Sequence, residues 1–188
     1  EKFKGKSNQG LYGDVIEEID ASVGTILETL KKHSLDKNTL VIFTSDNGPA
    51  TGSAGPFRGK KGSNFEGGVR EPCIMRWPGK IPAGTQCSQI AGNIDVLPTL
   101  ASIVGAKLDP KQIIDGRDIT TLMMDDKAGP VRDVHLYCSA SLMRPVQAIR
   151  MGEWKLFLPD SDEAGNAKKK KEKGNAAEAN MLFNLEKD

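Results

Sequence analysis

Two short segments carry side chains suited to holding a divalent cation or an anion. Asp46-Asn47-Gly48-Pro49 sets a carboxylate beside an amide oxygen, a hard-oxygen pair that suits Ca²⁺ or Mg²⁺ rather than zinc. The same four residues are also good turn chemistry, and spacing alone does not separate the two uses. Ca²⁺ takes about 6–8 oxygens, and no other acidic cluster in the sequence supplies the remainder, so further ligands would come from outside the chain or from substrate. Arg58-Gly59-Lys60-Lys61-Gly62 follows. Its glycines let backbone approach an anion, and a lysine is a compact cation for phosphate or sulfate oxygens. The G-x-x-x-x-G-K-[ST] spacing of a P-loop is absent. On spacing alone, a solvated basic loop is the simpler account.

The other reactive side chains are poorer candidates. His33 is explained as a cation at a helix C-terminus, and His135 lies within a strand pattern with no partner evident in the sequence. Cys73, Cys87 and Cys138 have no neighbouring His or activating setting, which favours structural thiols over nucleophiles. Lys168 to Lys173 form a basic run, but residues 161–188 hold six Lys and six acids. That balance, with no aromatics among the lysines, describes a solvated loop rather than a nucleic-acid surface.

Residues 14 to 32 should form an amphipathic helix that positions the first of these segments. Val15, Ile16, Ile19, Val23, Ile26, Leu27 and Leu30 recur at steps of three and four, with Asp14 as the expected N-cap. Leu40-Val41-Ile42-Phe43-Thr44-Ser45 lacks polar alternation, as expected of a strand buried on both faces of a parallel sheet. Helix, short link and strand are half of a βαβ unit and predict an α/β architecture, with the Asp46 loop at the strand's carboxyl end, where ligands collect in open sheets. Residues 46–84 then hold nine Gly and five Pro, 14 of the chain's 30, so this stretch is a structured loop that turns tightly. Within it, Pro72 to Trp77 is a strand candidate. Asp95 should cap a helix running to about Val104, with Gly105 as its stop. Beyond Asp115, strands at Val134–Cys138, Val146–Arg150 and Trp154–Leu158, with a tight turn over Met151–Glu153, predict a small antiparallel sheet. Ser161 to Ala179 is a polar surface loop.

Composition bounds the rest. Of 188 residues, Lys and Arg number 26 and Asp and Glu 25, a net charge of +1, which argues against a dedicated nucleic-acid binder. No apolar run approaches the roughly 20 residues of a membrane helix. Three Cys without a C-x-x-C pair exclude a zinc ribbon and a disulfide-rich scaffold, while one bridge plus a free thiol stays open. A first residue of Glu and an ending just after an apolar stretch suggest a piece of a longer protein.

In order along the chain, the segments resemble the sulfatase family of the alkaline-phosphatase-like superfamily. Tyr12-Gly13-Asp14 and Glu18 to Gly24 are similar to the helix before its metal strand, and Val41 to Pro49 to that strand and its loop. Gly59-Lys60-Lys61-Gly62 with Phe65 to Pro72 is similar to its sulfate-lysine segment, followed by Trp77 to Ile81. Asp95 to Leu100, Asp115-Gly116, Ala148 to Arg150 and Trp154 to Leu156 continue the pattern, and Leu182 to Leu185 resembles its closing strand. One such motif is weak, but the ordered set is specific.

The resemblance implies roles. Asp46 and Asn47 match a pair of metal ligands, usually for Ca²⁺ with Mg²⁺ as the alternative. Lys61 matches the lysine that holds a sulfate oxygen, a catalytic and substrate-binding position. The expected partner is a sulfate ester, with sulfated carbohydrates among the candidates, and no nucleic acid or membrane. Secretion, periplasmic export or lysosomal delivery is typical of the family. The expected architecture is α/β: the C-terminal part of the large sulfatase domain over 1–115, then a small antiparallel α+β subdomain over 116–188. One departure matters. The family's nucleophile is a formylglycine made from the cysteine of a Cys-x-Pro-Ser-Arg motif, and nothing here fits. Cys138-Ser139-Ala140-Ser141-Leu142 lacks both Pro and Arg. The paired N-terminal Asp ligands and catalytic histidines of the family lie upstream of anything present. The chain should therefore supply half a metal site and the sulfate lysine, need the missing N-terminal part of the same protein, and be inactive alone. Three alternatives stay open: a phosphoester hydrolase of the same superfamily, a catalytically dead sulfatase-like binding or structural module, and a polyanion-binding module built on Lys168 to Lys173.

Overall fold

A computed structural model describes residues 2–138, 146–158 and 181–187. The polar loop expected at 161–179, the lysine run within it and Ser139 to Leu142 lie outside the described residues. The chain divides into two compact units, each taken by itself below.

The first unit comprises Glu1–Ser45, Thr51–Ser53 and Pro72–Thr85. Its helix α1 spans Gly10–Lys32. The apolar periodicity is as expected, but Asp14 is not the N-cap. It sits one turn inside the helix, and its carboxylate accepts the N–H groups of Gly5 at 2.7 Å, Lys6 at 3.1 Å and Ser7 at 2.8 Å. Those bonds hold the carboxyl below its ordinary pKa, Ser7 and Gly5 first, although burial opposes them. Asp14 thus folds the preceding turn back onto the helix rather than starting the helix. Ser34, in the left-handed region at φ 57°, ends it as Leu35 N–H donates to the Leu30 carbonyl at 2.8 Å. The apolar face carries Leu11, Ile16, Ile19 and Ile26 exposed to solvent.

Strand β1, Val41–Thr44, pairs antiparallel with β2, Cys73–Arg76, in a register that sets Val41 opposite Arg76 and Thr44 opposite Cys73. The expected two-sided burial is not observed. Val41 and Ile42 are half-buried, while Phe43 and Thr44 are exposed. An apolar run records that both faces suit an interior; it carries no information on strand direction or on which neighbours are present.

The second unit contains Asp46–Ala50, Ala54–Glu71 and Gln86–Asp188. It begins with a four-residue helix α2, Glu66–Val69, followed by α3, Val96–Val104, and α4, Thr120–Met124. Asp95 does organise the start of α3, through main chain around it. Its carboxylate accepts Gly92 N–H at 2.8 Å and Arg117 N–H at 2.7 Å and pairs with Arg132. Gly105 closes the helix at φ 70°, a conformation that favours glycine.

The expected small sheet is present, and the segment that resembles the family's closing strand forms its fourth strand. Strands β3 Val134–Cys138, β4 Val146–Met151, β5 Trp154–Phe157 and β6 Met181–Asn184 lie in the order β3-β4-β5-β6. All the pairs are antiparallel. Met151 faces Trp154 across a two-residue turn with Gly152 at φ 57°, the positive φ such hairpins demand. The buried core is Tyr137, Ala148 and Phe157, with Phe65, Val69, Met181 and Phe183 packed against it. Phe65 lies 4.6 Å from Phe157 and 5.9 Å from Phe183, ring centroid to centroid, spacings at which tilted and edge-on aromatic pairs attract. The Gly-rich loop therefore anchors into the sheet through Phe65. Cys73, Cys87 and Cys138 are all free thiols and exposed.

Candidate functional site

Two main-chain bonds staple the Asp46 loop to the lysine loop. Gly48 N–H donates to the Gly68 carbonyl at 2.9 Å, and Lys61 N–H donates to the Pro49 carbonyl at 3.1 Å. Asp46 and Asn47 precede the first staple and Lys61 forms the second, so all three expected site residues belong to one compact unit. Asp46 and Lys61 are exposed, and Asn47 is half-buried.

The staple requires glycine. A Cβ on Gly48 would lie 2.0 Å from the Gly67 carbonyl oxygen, and one on Gly68 would lie 2.1 Å from the Ser63 carbonyl oxygen. No side chain fits such gaps. Around them the loop turns on itself: Gly67 N–H reaches the Arg58 carbonyl at 2.7 Å and Gly68 N–H the Phe65 carbonyl at 2.8 Å. The Arg58 guanidinium stacks 3.9 Å above the Phe65 ring, and that of Arg70 lies 4.7 Å above Phe57. Both stacks use the attraction of a cation for an aromatic face. The basic loop is therefore built, not merely solvated.

Sequence patterns did not single out three further side chains. Glu66 opens α2 and accepts a hydrogen bond from the Lys155 ammonium, Oε2 to Nζ, at 2.6 Å. Lys155 itself is fully buried on β5, and its Nζ also donates to the Asn64 carbonyl at 2.5 Å. Breaking such a buried pair from one side costs about 3–5 kcal/mol, because a charge is left without its counterpart. Glu71 is the third. Its Oε1 is buried without a hydrogen-bond partner. Burial pushes its carboxyl above the ordinary value; a backbone bond at Glu71 opposes this and the Asp46 charge adds to it. A period-two reading of Trp154 to Phe157 would have found Lys155, which shares a strand face with Phe157. No comparable signal marks Glu71.

The remaining candidates lie elsewhere. His33 is the C-cap of α1, its N–H donating to the Thr29 carbonyl at 3.1 Å. His135, on β3, stands edge-on to Tyr137 at 4.8 Å, with Arg132 3.4 Å from its Nδ1. Burial first, then the Arg132 charge, holds its pKa below the ordinary histidine value. Among the described residues no group of three or more His, Cys, Asp and Glu side chains converges to hold a metal ion. What the Asp46 loop offers a cation is one carboxylate and one amide oxygen, a donor chemistry that fits Ca²⁺ or Mg²⁺.

Comparison with known proteins identifies the family. Residues 1–106 match the sulfatase domain family, and residues 59–165 match the N-sulphoglucosamine sulphohydrolase C-terminal family. The chain is 40% identical over 171 residues to steryl-sulfatase of Mus musculus, covering 82% of this chain and 27% of that protein. It is 40% identical over 162 residues to arylsulfatase A of Homo sapiens, covering 82% of this chain and 32% of that one. The chain thus spans about a third of the length of these relatives. The crystal structure of PsFucS1 sulfatase from Pseudoalteromonas sp. superposes with a TM-score of 0.80 at 28% identity, covering 98% of this chain and 38% of that one. The β1 loop, the glycine-stapled lysine loop and the sheet beneath it are thus parts of an alkaline-phosphatase-like α/β fold, and the chain belongs to the sulfatase family.

Proposed function

We propose that the protein is a sulfuric ester hydrolase in which this chain supplies Lys61 to the sulfate group and Asp46 and Asn47 to a divalent cation, Ca²⁺ or Mg²⁺. The observation that carries the reading is the double main-chain staple, Gly48 to Gly68 and Lys61 to Pro49, which ties the carboxylate-amide pair and the lysine into one rigid loop pair. When bound, the cation would polarise the sulfate oxygens and stabilise charge that builds on them as the S–O bond breaks. Lys61, exposed on a loop held by Phe65, offers a second positive charge to the same oxygens. The nucleophile is not in this sequence. A formylglycine in the part of the protein that this chain does not span would supply it, with the remaining metal ligands. The 188 residues alone should therefore turn nothing over.

Relatives are named for sterol, aryl and N-acetylgalactosamine-6-sulfate substrates, and the same class of small sulfate esters, including sulfated carbohydrates, is the substrate class proposed here. The decisive experiment uses the full-length protein. Mass spectrometry should find a formylglycine peptide, and the enzyme should hydrolyse an aryl sulfate faster than the matching aryl phosphate. Lys61→Met should lower kcat/KM by about 10²–10³-fold, the scale for one lost charge-stabilising contact. A full-length protein with neither formylglycine nor sulfate-ester turnover would overturn the proposal and leave a sulfatase-like binding module.

A further inference from the structure

Lys155, on β5, is a charged side chain completely withdrawn from water. An ammonium has three N–H groups, and this one has partners on both the lysine loop and the sheet. Nζ lies 2.5 Å from the Asn64 carbonyl oxygen, 2.6 Å from Glu66 Oε2, and 3.7 Å from the centroid of the Tyr137 ring. Tyr137 belongs to the buried core of the sheet. Asn64 and Glu66 flank Phe65, the aromatic plug of the lysine loop. The sheet therefore grips residues 64 to 66 by an apolar side chain in the middle and by charge on both sides of it. Arg150 on β4 reinforces the grip, 3.8 Å from Glu66 Oε1.

Three residues before this grip stands Lys61, and two residues after it Gly68 receives the staple from the Asp46 loop. A buried ion pair is weak evidence for stability, since well-packed apolar residues of similar volume often do as well or better. What it adds is a defined geometry at a defined place. We infer that Lys155 is a positioning residue for Lys61: it fixes Asn64 and Glu66 so that the lysine ammonium and the Asp46–Asn47 oxygens are held in register for one sulfate group. This rests on the role proposed above for Lys61.

The test compares full-length wild type with Lys155→Met, Lys155→Arg, Lys61→Met and the Lys155→Met/Lys61→Met double variant, using 4-nitrophenyl sulfate as the probe. Amide hydrogen exchange at Lys61, Gly67 and Gly68 is followed in parallel. Displacing a binding group by about 1 Å costs on the order of 10²-fold, so Lys155→Met should lose about that much in kcat/KM. The double variant should be within about threefold of Lys61→Met alone, because a positioning residue has nothing left to position. Lys155→Arg should recover part of the loss, and the three amides should exchange faster in Lys155→Met. Losses that multiply in the double variant, or amides that exchange at the wild-type rate, would overturn the inference. If Lys155→Met fails to fold, Glu66→Gln takes its place in the same cycle. If wild type does not hydrolyse the probe, the proposed function fails instead, and the exchange rates alone decide whether Lys155 orders the loop.

Discussion

Replacing Gly48 by alanine tests whether the two loops must touch. Gly48 is not in the left-handed region, so alanine suits its backbone and the effect is one of contact alone. The new Cβ would lie 2.0 Å from the Gly67 carbonyl oxygen and 2.9 Å from Gly68 Cα. Both obstacles are main chain and cannot rotate away. Ordinary contact begins near 3.4 Å, so the loops must part by roughly 1.4 Å, the difference of the two distances, which breaks the Gly48–Gly68 hydrogen bond. Losing that bond costs about 1 kcal/mol and the overpacking about 1–3, together about 2–4 kcal/mol. Activity should suffer along with stability. A shift of that size between the cation ligands and Lys61 lowers kcat/KM on the order of 10²-fold. Urea denaturation and aryl sulfate kinetics on the full-length protein measure the two losses. Gly129→Ala is the control, because its Cβ would meet nothing within 4 Å. A Gly48→Ala enzyme within about twofold of wild type in kcat/KM would show that the staple does not set the site.

Two further predictions concern the framework. Gly24 lies in the middle of α1 with open space around its absent Cβ; in a peptide spanning residues 10–33, Gly24→Ala should raise helicity by circular dichroism, favouring the helix by about 1 kcal/mol, and an unchanged spectrum would contradict the helix assignment. Tyr137 has its phenol pushed up to about 12, by burial first and then by the Glu66 charge, against the effect of Arg150. Between pH 10 and 12 the unfolded chain has released this proton and the folded chain has not, so stability falls with rising pH, by on the order of 2–3 kcal/mol. Tyr137→Phe should flatten that part of the pH–stability curve, and a slope identical to wild type would refute the assignment.

The elements that were legible are those in which local pattern and final environment agree. The 3.6-residue period of α1, the Asp95 start and Gly105 stop of α3, and the alternating strands of the small sheet all follow from side-chain type and spacing. Asp14 was misread because a carboxylate ahead of an apolar helical pattern is equally able to cap the helix or to receive a turn that precedes it. The strand at Val41 was legible as a strand, but its antiparallel partner and exposed end were not, since apolar composition is silent on neighbours. At the site, Asp46, Asn47 and Lys61 could be named, yet the device that unites them is a pair of backbone bonds. Backbone bonds leave a trace only in glycines, and the sequence has too many glycines there for any one to be distinguished. Lys155 escaped for another reason: a lysine in a strand is ordinarily solvent-facing, and only its shared face with Phe157 argued otherwise.

The bond between Lys155 and Glu66 joins residues 89 positions apart. At translation rates of about 5–20 residues per second, that interval amounts to roughly 4 to 18 s of synthesis. Through it the lysine loop exists with a carboxylate that has no ammonium to meet and an aromatic plug with no sheet to enter. Assembly of the loop therefore waits until β5 has left the ribosome. A truncation far downstream of Lys61 should do to the nascent site what a substitution beside it would do to the finished one.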